Sequence, residues 1–288
     1  MRTFSVVGAG RLGTSLAAAL SKKGWNLELI ADRDPLAARE GRRIIGRGRA
    51  TADISKAASA SGVLFVCVPD DSLEAVARKL ARSGPDWAGR IVFHTSGLHS
   101  SSALAPLRKK GARAASLHPA QSFPRKGVHA RLFRGVVWGI EGDAEAVAAG
   151  RAVVKALGGR TLILRPEDKA LYHAACCLAS NSFVALEAAA AALLQAAGVP
   201  PGTAGALLRS LVQETLQNVK KLGPRKALTG PVVRGDVGTV RRHLEALKAH
   251  PGQEETYRAV GKLALALTEG RGLPAGRIRA LRRLLEGR

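Results

Sequence analysis

Up to residue 165, short runs of apolar and β-branched residues alternate with stretches whose apolar positions recur every three or four residues. The strand-like runs are Thr3 to Val7, Asn26 to Ala31, Val63 to Val68, Ile91 to His94, Ala112 to Leu117, Val136 to Glu141 and Thr161 to Leu164. Several are apolar throughout, as strands covered on both faces are, so the alternation predicts a parallel sheet with helices packed against it. After Pro166 the pattern changes. Glu167 to Ala197 contains neither Gly nor Pro, is dense in Ala and Leu, and stops at Gly198-Val199-Pro200-Pro201, which predicts one long helix. Further helices are expected over Thr203 to Leu222, Val237 to His250, Gln253 to Glu269 and Pro274 to Leu285. Gly223-Pro224 ends the first of these, Asp236 caps the second and Pro251 closes it. The chain therefore divides into an α/β half, residues 1–165, and an all-helical half, residues 166–288.

The first strand runs into Gly8-Ala9-Gly10-Arg11-Leu12-Gly13 and then into a helix start. This is the order a dinucleotide loop requires. The first glycine turns tightly, the second lets backbone approach a pyrophosphate, and the third lets helix pack on strand, leaving helix N–H groups to hold the anion. Asp32 follows about twenty residues later, at the end of the second strand, where an acidic side chain meets the adenosine ribose. Arg33 beside it fits a 2′-phosphate, so the loop predicts NADP or NAD without choosing. A plain polar turn over Asp32 to Pro35 is the alternative. With this loop the α/β half reads as a Rossmann-type doubly wound sheet.

In such sheets ligands collect beyond the carboxyl ends of the strands. That singles out Val68-Pro69, Thr95-Ser96-Gly97 and His118 to Gln121, with Val68, Pro69 and Thr95 on the cofactor and Ser96, Gly97, His118 and Gln121 on the substrate. Each segment also reads as an ordinary capped turn. Along the long helix, Tyr172, His173, Cys176, Cys177, Ser180 and Asn181 make a polar stripe at helical spacing. His173 suits proton transfer near neutral pH, Asn181 suits holding a polarised oxygen or nitrogen, and Tyr172 suits substrate contact. The alternative is hydrogen bonding across a helix or dimer interface, and for both cysteines that is the reading taken.

Lys plus Arg number 45 against 22 Asp plus Glu, a formal charge of +23. The arginines are scattered, aromatic residues for base stacking are few, and no nucleic-acid-binding signature accompanies them, so the charge reads as diffuse rather than as a nucleic-acid footprint. It also suits an acidic small-molecule substrate. The three cysteines, Cys67, Cys176 and Cys177, form neither a disulfide framework nor a CxxC metal site, and no metal is expected. No uninterrupted apolar run reaches the length of a membrane span and the start lacks a signal peptide, so a cytoplasmic protein is expected.

The segments GAGRLG, FVCVPDD, HTSGLHSS, SLHPAQSFP, YHAACCLASN and LTGPVVRGD together resemble a bacterial family of uncharacterised proteins that join a Rossmann-like half to a helical domain of unknown function. That family is similar to the 6-phosphogluconate dehydrogenase-like superfamily, which includes pyrroline-5-carboxylate reductase, ketopantoate reductase and prephenate dehydrogenase. The resemblance implies a helical half like the 6-phosphogluconate dehydrogenase C-terminal domain. It also implies a nicotinamide-dependent oxidoreductase acting in the interdomain cleft, as a homodimer. His118-Pro119 resembles the His-Pro turn of prephenate dehydrogenases, and Asn181 stands where relatives carry an active-site Asn. One turn before that Asn those relatives carry Lys; here the position is Cys177, and the nearest lysine, Lys169, is three turns away. The turn around Thr229, Gly230 and Arg234 resembles a substrate-proximal loop of pyrroline-5-carboxylate reductase, suited to a carboxylate. The missing lysine keeps a second reading open, a nucleotide-binding sensor or scaffold without turnover.

Overall fold

Each expected strand is present in the computed structural model, which describes residues 3–83, 86–127 and 130–288. The strands are β1 (Thr3–Val7), β2 (Asn26–Ala31), β3 (Arg49–Thr51), β4 (Val63–Val66), β5 (Ile91–His94), β6 (Arg113–Pro119), β7 (Val137–Gly142) and β8 (Arg160–Ile163). They form one sheet in the order β3-β2-β1-β4-β5-β6-β7-β8. The strand β3 escaped the sequence reading because it is three residues long and begins on exposed Arg49. From β3 to β6 every pair is parallel. Against the parallel expectation, β6 and β7 are antiparallel, and β7 and β8 are parallel again. The reason lies in the connection: between Pro119 and Val137 the only helical piece described is the short 3-10 turn Ala130–Phe133, not the crossover helix that a parallel return requires.

Helices α1 (Arg11–Lys22), α2 (Pro35–Ile45), α3 (Ile54–Ala60), α4 (Asp70–Ser83), α5 (Ala105–Arg108) and α6 (Ala144–Ala156) cover the sheet. Alternation along the strands sends Phe4, Phe65, Phe93, Leu117 and Ile140 to one apolar cluster and Leu64, Val66 and Val92 to the other. On the first side Phe4 meets Phe65 edge-on at 5.9 Å between centroids and Phe65 stacks on Phe93 at 5.2 Å, tying β1, β4 and β5 together just below the ends that carry the loops.

The helical half comprises α7 (Lys169–Ala196), α8 (Pro201–Ala227), α9 (Pro231–Arg234), α10 (Val237–Leu247), α11 (Pro251–Ala266) and α12 (Ala275–Glu286). In α8 the expected stop is a kink: Gly223 leaves helical geometry ahead of Pro224, and a further turn follows. By its contacts the chain groups into Met1–Asn181 and Ser182–Arg288, so the first turns of α7 belong with the sheet. The second unit has its own core of Val232, Val240, Leu244, Leu265, Leu281 and Leu285. By length and composition alone the stretch Pro166–Ala196 is long and apolar enough to cross a membrane. The stretch is not an uninterrupted apolar run: Lys169, His173, Asn181 and Glu187 break it, while alanine and leucine keep its average apolar.

Phe65 is fully buried between Phe4 and Phe93. Phe65→Ala is expected to lower the unfolding free energy by about 3–5 kcal/mol in urea titration. Arg78→Ala, which removes an exposed ion pair to Glu74, is expected to change it by under about 0.5 kcal/mol.

Candidate functional site

Beyond β1 the chain turns at Gly8, whose φ of +102° is open to glycine; a Cβ there would overlap the Cys67 carbonyl. A Cβ on Gly13 would overlap the Gly8 carbonyl, so the turn, the start of α1 and the end of β4 touch backbone to backbone. Gly10 differs: nothing lies within 4 Å of where its Cβ would be. It is the N-cap of α1, whose first turn carries no acidic residue, so the open side of the loop faces the helix's unpaired N–H groups. Asp32 holds the loop from β2, one carboxylate oxygen accepting from Ala9 N–H at 2.8 Å and the other from Asp34 N–H at 3.0 Å. Asp34 caps α2 through Leu36 N–H. Arg11 and Arg33 are exposed and Leu12 is partly buried. The glycines, the open face and the carboxylate fit a dinucleotide pyrophosphate and ribose.

Cys67, Val68 and Pro69 follow β4, and Thr95 follows β5 with its N–H on the Val66 carbonyl. Burial pushes the Cys67 thiol up to about 12, leaving it inert beneath the loop. Ser96 is used locally: its hydroxyl oxygen accepts from Leu98 and His99 N–H, and its own N–H donates to His94 Nδ1. Its carbonyl accepts from Lys169 Nζ at 2.9 Å, and Lys169 also donates to Ser116 Oγ at 2.6 Å. Lys169, the first residue of α7, is 1% exposed.

Over this turn two imidazoles meet. A Cβ on Gly97 would overlap His173 Nδ1 and lie 2.9 Å from His118 Nε2, so glycine is what lets both rings close in. The rings pack edge-to-face at 5.6 Å. His118 Nδ1 is 3.0 Å from the Tyr172 hydroxyl, and His173 Nε2 is 3.6 Å from Cys177 Sγ. His173 Nδ1 is buried without a hydrogen-bond partner. Beside them opens a cleft of about 470 Å³ lined by His118, Gln121, His173, Cys177, Ser180 and Asn181, among others. Gln121 holds Leu132 carbonyl and Ser122 N–H with its amide.

Burial is the leading cause of every shift in this cluster. It takes His94 down to about 3 and His118 to about 4, with the Lys169 ammonium next in both and His173 also acting on His118. Burial lowers Lys169 to about 8, against the opposing fields of Glu141, Asp70 and Cys176, and raises the Tyr172 phenol. The site thus holds His94 and His118 as neutral imidazoles beside a buried cation.

The structure brings His118, Gln121, His173 and Asn181 to one cleft, with Gly97 and Tyr172 against its histidines. Thr229, Gly230 and Arg234 belong to the second unit. There Gly230 precedes α9 with φ of +99°, and Arg234 Nε donates to Asp236 Oδ2 at 2.8 Å, so its charge is engaged. Sequence reasoning passed over Lys169 as an acid three turns from Asn181 and gave it no role. The signal was that Lys169 stands three and four residues before Tyr172 and His173, on one helix face. Among the described residues no group of three or more His, Cys, Asp or Glu is placed to hold a metal ion.

Residues 2–119 match the model of a Rossmann-like domain, and residues 136–264 that of a domain of unknown function, DUF2520. No curated protein matches the chain. Among solved structures, a Thermotoga maritima protein is 27% identical, with a TM-score of 0.71 over 93% of this chain and 99% of that one. A Bacteroides fragilis protein named as an NADP oxidoreductase is 23% identical, with a TM-score of 0.77 over 92% and 98%. A reductive aminase from Aspergillus terreus, solved with NADPH and ethyl levulinate, is 19% identical, with a TM-score of 0.60 over 100% and 93%. These last two likenesses, like the two halves matched, are of fold.

His94 and His118 are held neutral below their ordinary 6.5, so the unfolded chain takes up protons that the folded chain refuses. Stability is therefore full above pH 6.5 and declines on acidification, until about pH 4 for His118 and about pH 3 for His94. The slope is about 1.4 kcal/mol per pH unit for each. Urea unfolding at pH 7, 6 and 5 measures it, and His94→Asn should flatten the slope.

Proposed function

Starting from a chain that joins a Rossmann-like domain to DUF2520, we propose an NAD(P)-dependent oxidoreductase that exchanges hydride with the C=O or C=N carbon of a small, acidic substrate. The observation that carries this reading is the convergence of His118 and His173 over Gly97, on the same strand-end edge as the open glycine loop. Bound nicotinamide supplies the hydride. Gly8 to Gly13 receive the pyrophosphate, Asp32 and Arg33 the adenosine ribose, and Val68, Pro69 and Thr95 flank the nicotinamide. His173 moves the proton at the substrate's heteroatom through Nε2, the ring nitrogen beside Cys177 in the cleft lining, while Nδ1 is buried over Gly97. Asn181 donates to that heteroatom, and His118, Tyr172 and Gln121 orient the substrate. Cys177, standing where relatives carry lysine, contacts His173 and so helps set its ring plane.

The same cysteine favours the second reading, a nucleotide-binding sensor without turnover. The two separate on variants. In the oxidoreductase, His173→Ala or Asn181→Ala lowers turnover of a responsive keto or imino acid by about 10²–10⁴-fold while NADPH affinity stays within about twofold. In a sensor, no keto or imino acid is turned over.

A homodimer belongs to the proposal. From Ala170 to Ala196 no residue of α7 is buried, and Leu171, Leu178 and Val184 are 76, 71 and 62% exposed. A second copy presents the same exposed apolar side chains and covers them by twofold symmetry. Sedimentation is expected to give twice the chain mass, and Leu178→Glu with Val184→Glu to give the single chain.

Fluorescence titration tests the cofactor. NADPH or NADH should bind below about millimolar. Gly10→Val should weaken both by at least about tenfold through steric closure of the cradle, and Arg33→Ala should weaken NADPH more than NADH. Failure of both cofactors to bind sinks the proposal.

A further inference from the structure

Three segments of the site meet at one side chain that lines no part of the cleft. Lys169 opens α7, three residues before Tyr172 and four before His173. Its Nζ donates to the carbonyl of Ser96, the residue before Gly97, and to the hydroxyl of Ser116, two residues before His118 on β6. The first turn of α7, the turn after β5 and the end of β6 are thus joined by one buried ammonium. No carboxylate lies within its hydrogen-bond reach in these contacts. Glu141 on β7 is spent on Ser101 N–H at 2.6 Å and Ser101 Oγ at 2.8 Å. The cleft lining holds no lysine, arginine or carboxylate, and Lys169 is a buried cation bonded to the residue before Gly97 and to the strand that carries His118.

We propose that Lys169 is a positioning residue: its ammonium keeps His118 a neutral acceptor of the Tyr172 hydroxyl, so that the imidazole carries its proton on Nε2, over Gly97, ready to donate to a substrate heteroatom. Two cations so close in a poorly solvated wall repel, which penalises imidazolium more than imidazole. A neutral ring has one N–H. The 3.0 Å contact between Nδ1 and the Tyr172 hydroxyl admits either donor; on this proposal the phenol donates, which places the ring's N–H at Nε2, 2.9 Å from where a Gly97 Cβ would be. The groups facing this pair come from each neighbouring element: His94 on β5, Glu141 on β7, Asp70 on α4, and His173 and Cys176 on α7. Asp70 opposes Lys169 by favouring a charged His118, while His173 acts with Lys169; Glu141, Asp70 and Cys176 favour the charged form of Lys169 itself. The low position of His118, about 4, follows burial first and Lys169 second.

The proposal rests on the assignment of His118 to the substrate side of the site, yet its test needs neither substrate nor turnover. Full-length protein labelled with ¹⁵N and ¹³C at histidine is titrated by NMR. The wild type should show His118 as the Nε2–H tautomer at pH 7. Lys169→Gln, which keeps an N–H donor and removes the charge, should raise the proton affinity of His118 at least about tenfold, one pH unit in its midpoint. Lys169→Arg, which keeps the charge, should restore the low midpoint. A purely structural tether predicts no difference in midpoint between a folded Lys169→Gln and the wild type, and that result overturns the proposal. Should Lys169→Gln fail to fold, an Nδ1–H ring in the wild type rejects the proposal, and Lys169→Met, which needs no polar partner, gives the midpoint: a rise of about one pH unit supports it and no rise overturns it. If the predicted tautomer and shift appear but no keto or imino acid is reduced, the electrostatic device stands and the oxidoreductase reading falls.

Discussion

The arrangement of the site depends on how closely the first turns of α7 approach the ends of β5 and β6. Two features of opposite kind permit it. Gly97 removes the one Cβ that would stand between the histidine rings and the turn, and Lys169 supplies the hydrogen bonds that hold the helix down. Burying an ammonium costs several kcal/mol, and two hydrogen bonds to neutral oxygens offset part of that. The opposing fields of Glu141 and Asp70 offset more, and the remainder appears as a lysine lowered to about 8. An apolar residue at position 169 would avoid the cost but would leave the Ser96 carbonyl and Ser116 hydroxyl without this donor, beside a pair of imidazoles with no nearby cation.

Much of this was legible in the chain. The glycine loop, the apolar strands and the long helices each depend on neighbours in sequence, and periodicity reports them directly. The polar stripe on α7 was legible as a stripe, from Tyr172 to Asn181. What it touches was not, because the contact from Tyr172 to His118 spans 54 residues and that from Lys169 to Ser96 spans 73. Lys169 escaped for a further reason: a lone lysine at a helix start reads as solvated, and the resemblance directed attention to the turn before Asn181. The strand β3 was too short to show alternation, and the antiparallel return into β7 is set by a connection that lacks a crossover helix.

The surplus of 45 basic over 22 acidic side chains bears little on the cleft itself. Its lining is uncharged, and several arginines are engaged locally: Arg234 with Asp236, Arg165 with Asp168, Arg108 with Asp143. Exposed charges more than about 10 Å apart are largely screened at ordinary salt. A single cation inside the wall is not, so the buried Lys169 acts on His118 in a way that the scattered surface charges do not.

This separation bears on what a cysteine at position 177 does to the chemistry. In an exposed lysine, field and proton come from the same group, with an ordinary pKa of about 10.4 that makes the proton hard to release at neutral pH. On the reading proposed above the two tasks fall to different residues. The field comes from Lys169, which never meets the substrate, and the proton from the histidines, of which His118 stays neutral and keeps one N–H. A neutral imidazole is a weaker acid than an imidazolium, so it serves best by polarising an oxygen or nitrogen through hydrogen bonding, with full proton transfer late along the reaction coordinate. An electrophile that already carries part of its charge, such as a protonated imine, asks the least of such a donor, whereas a neutral ketone needs more from Asn181 and from the field behind it.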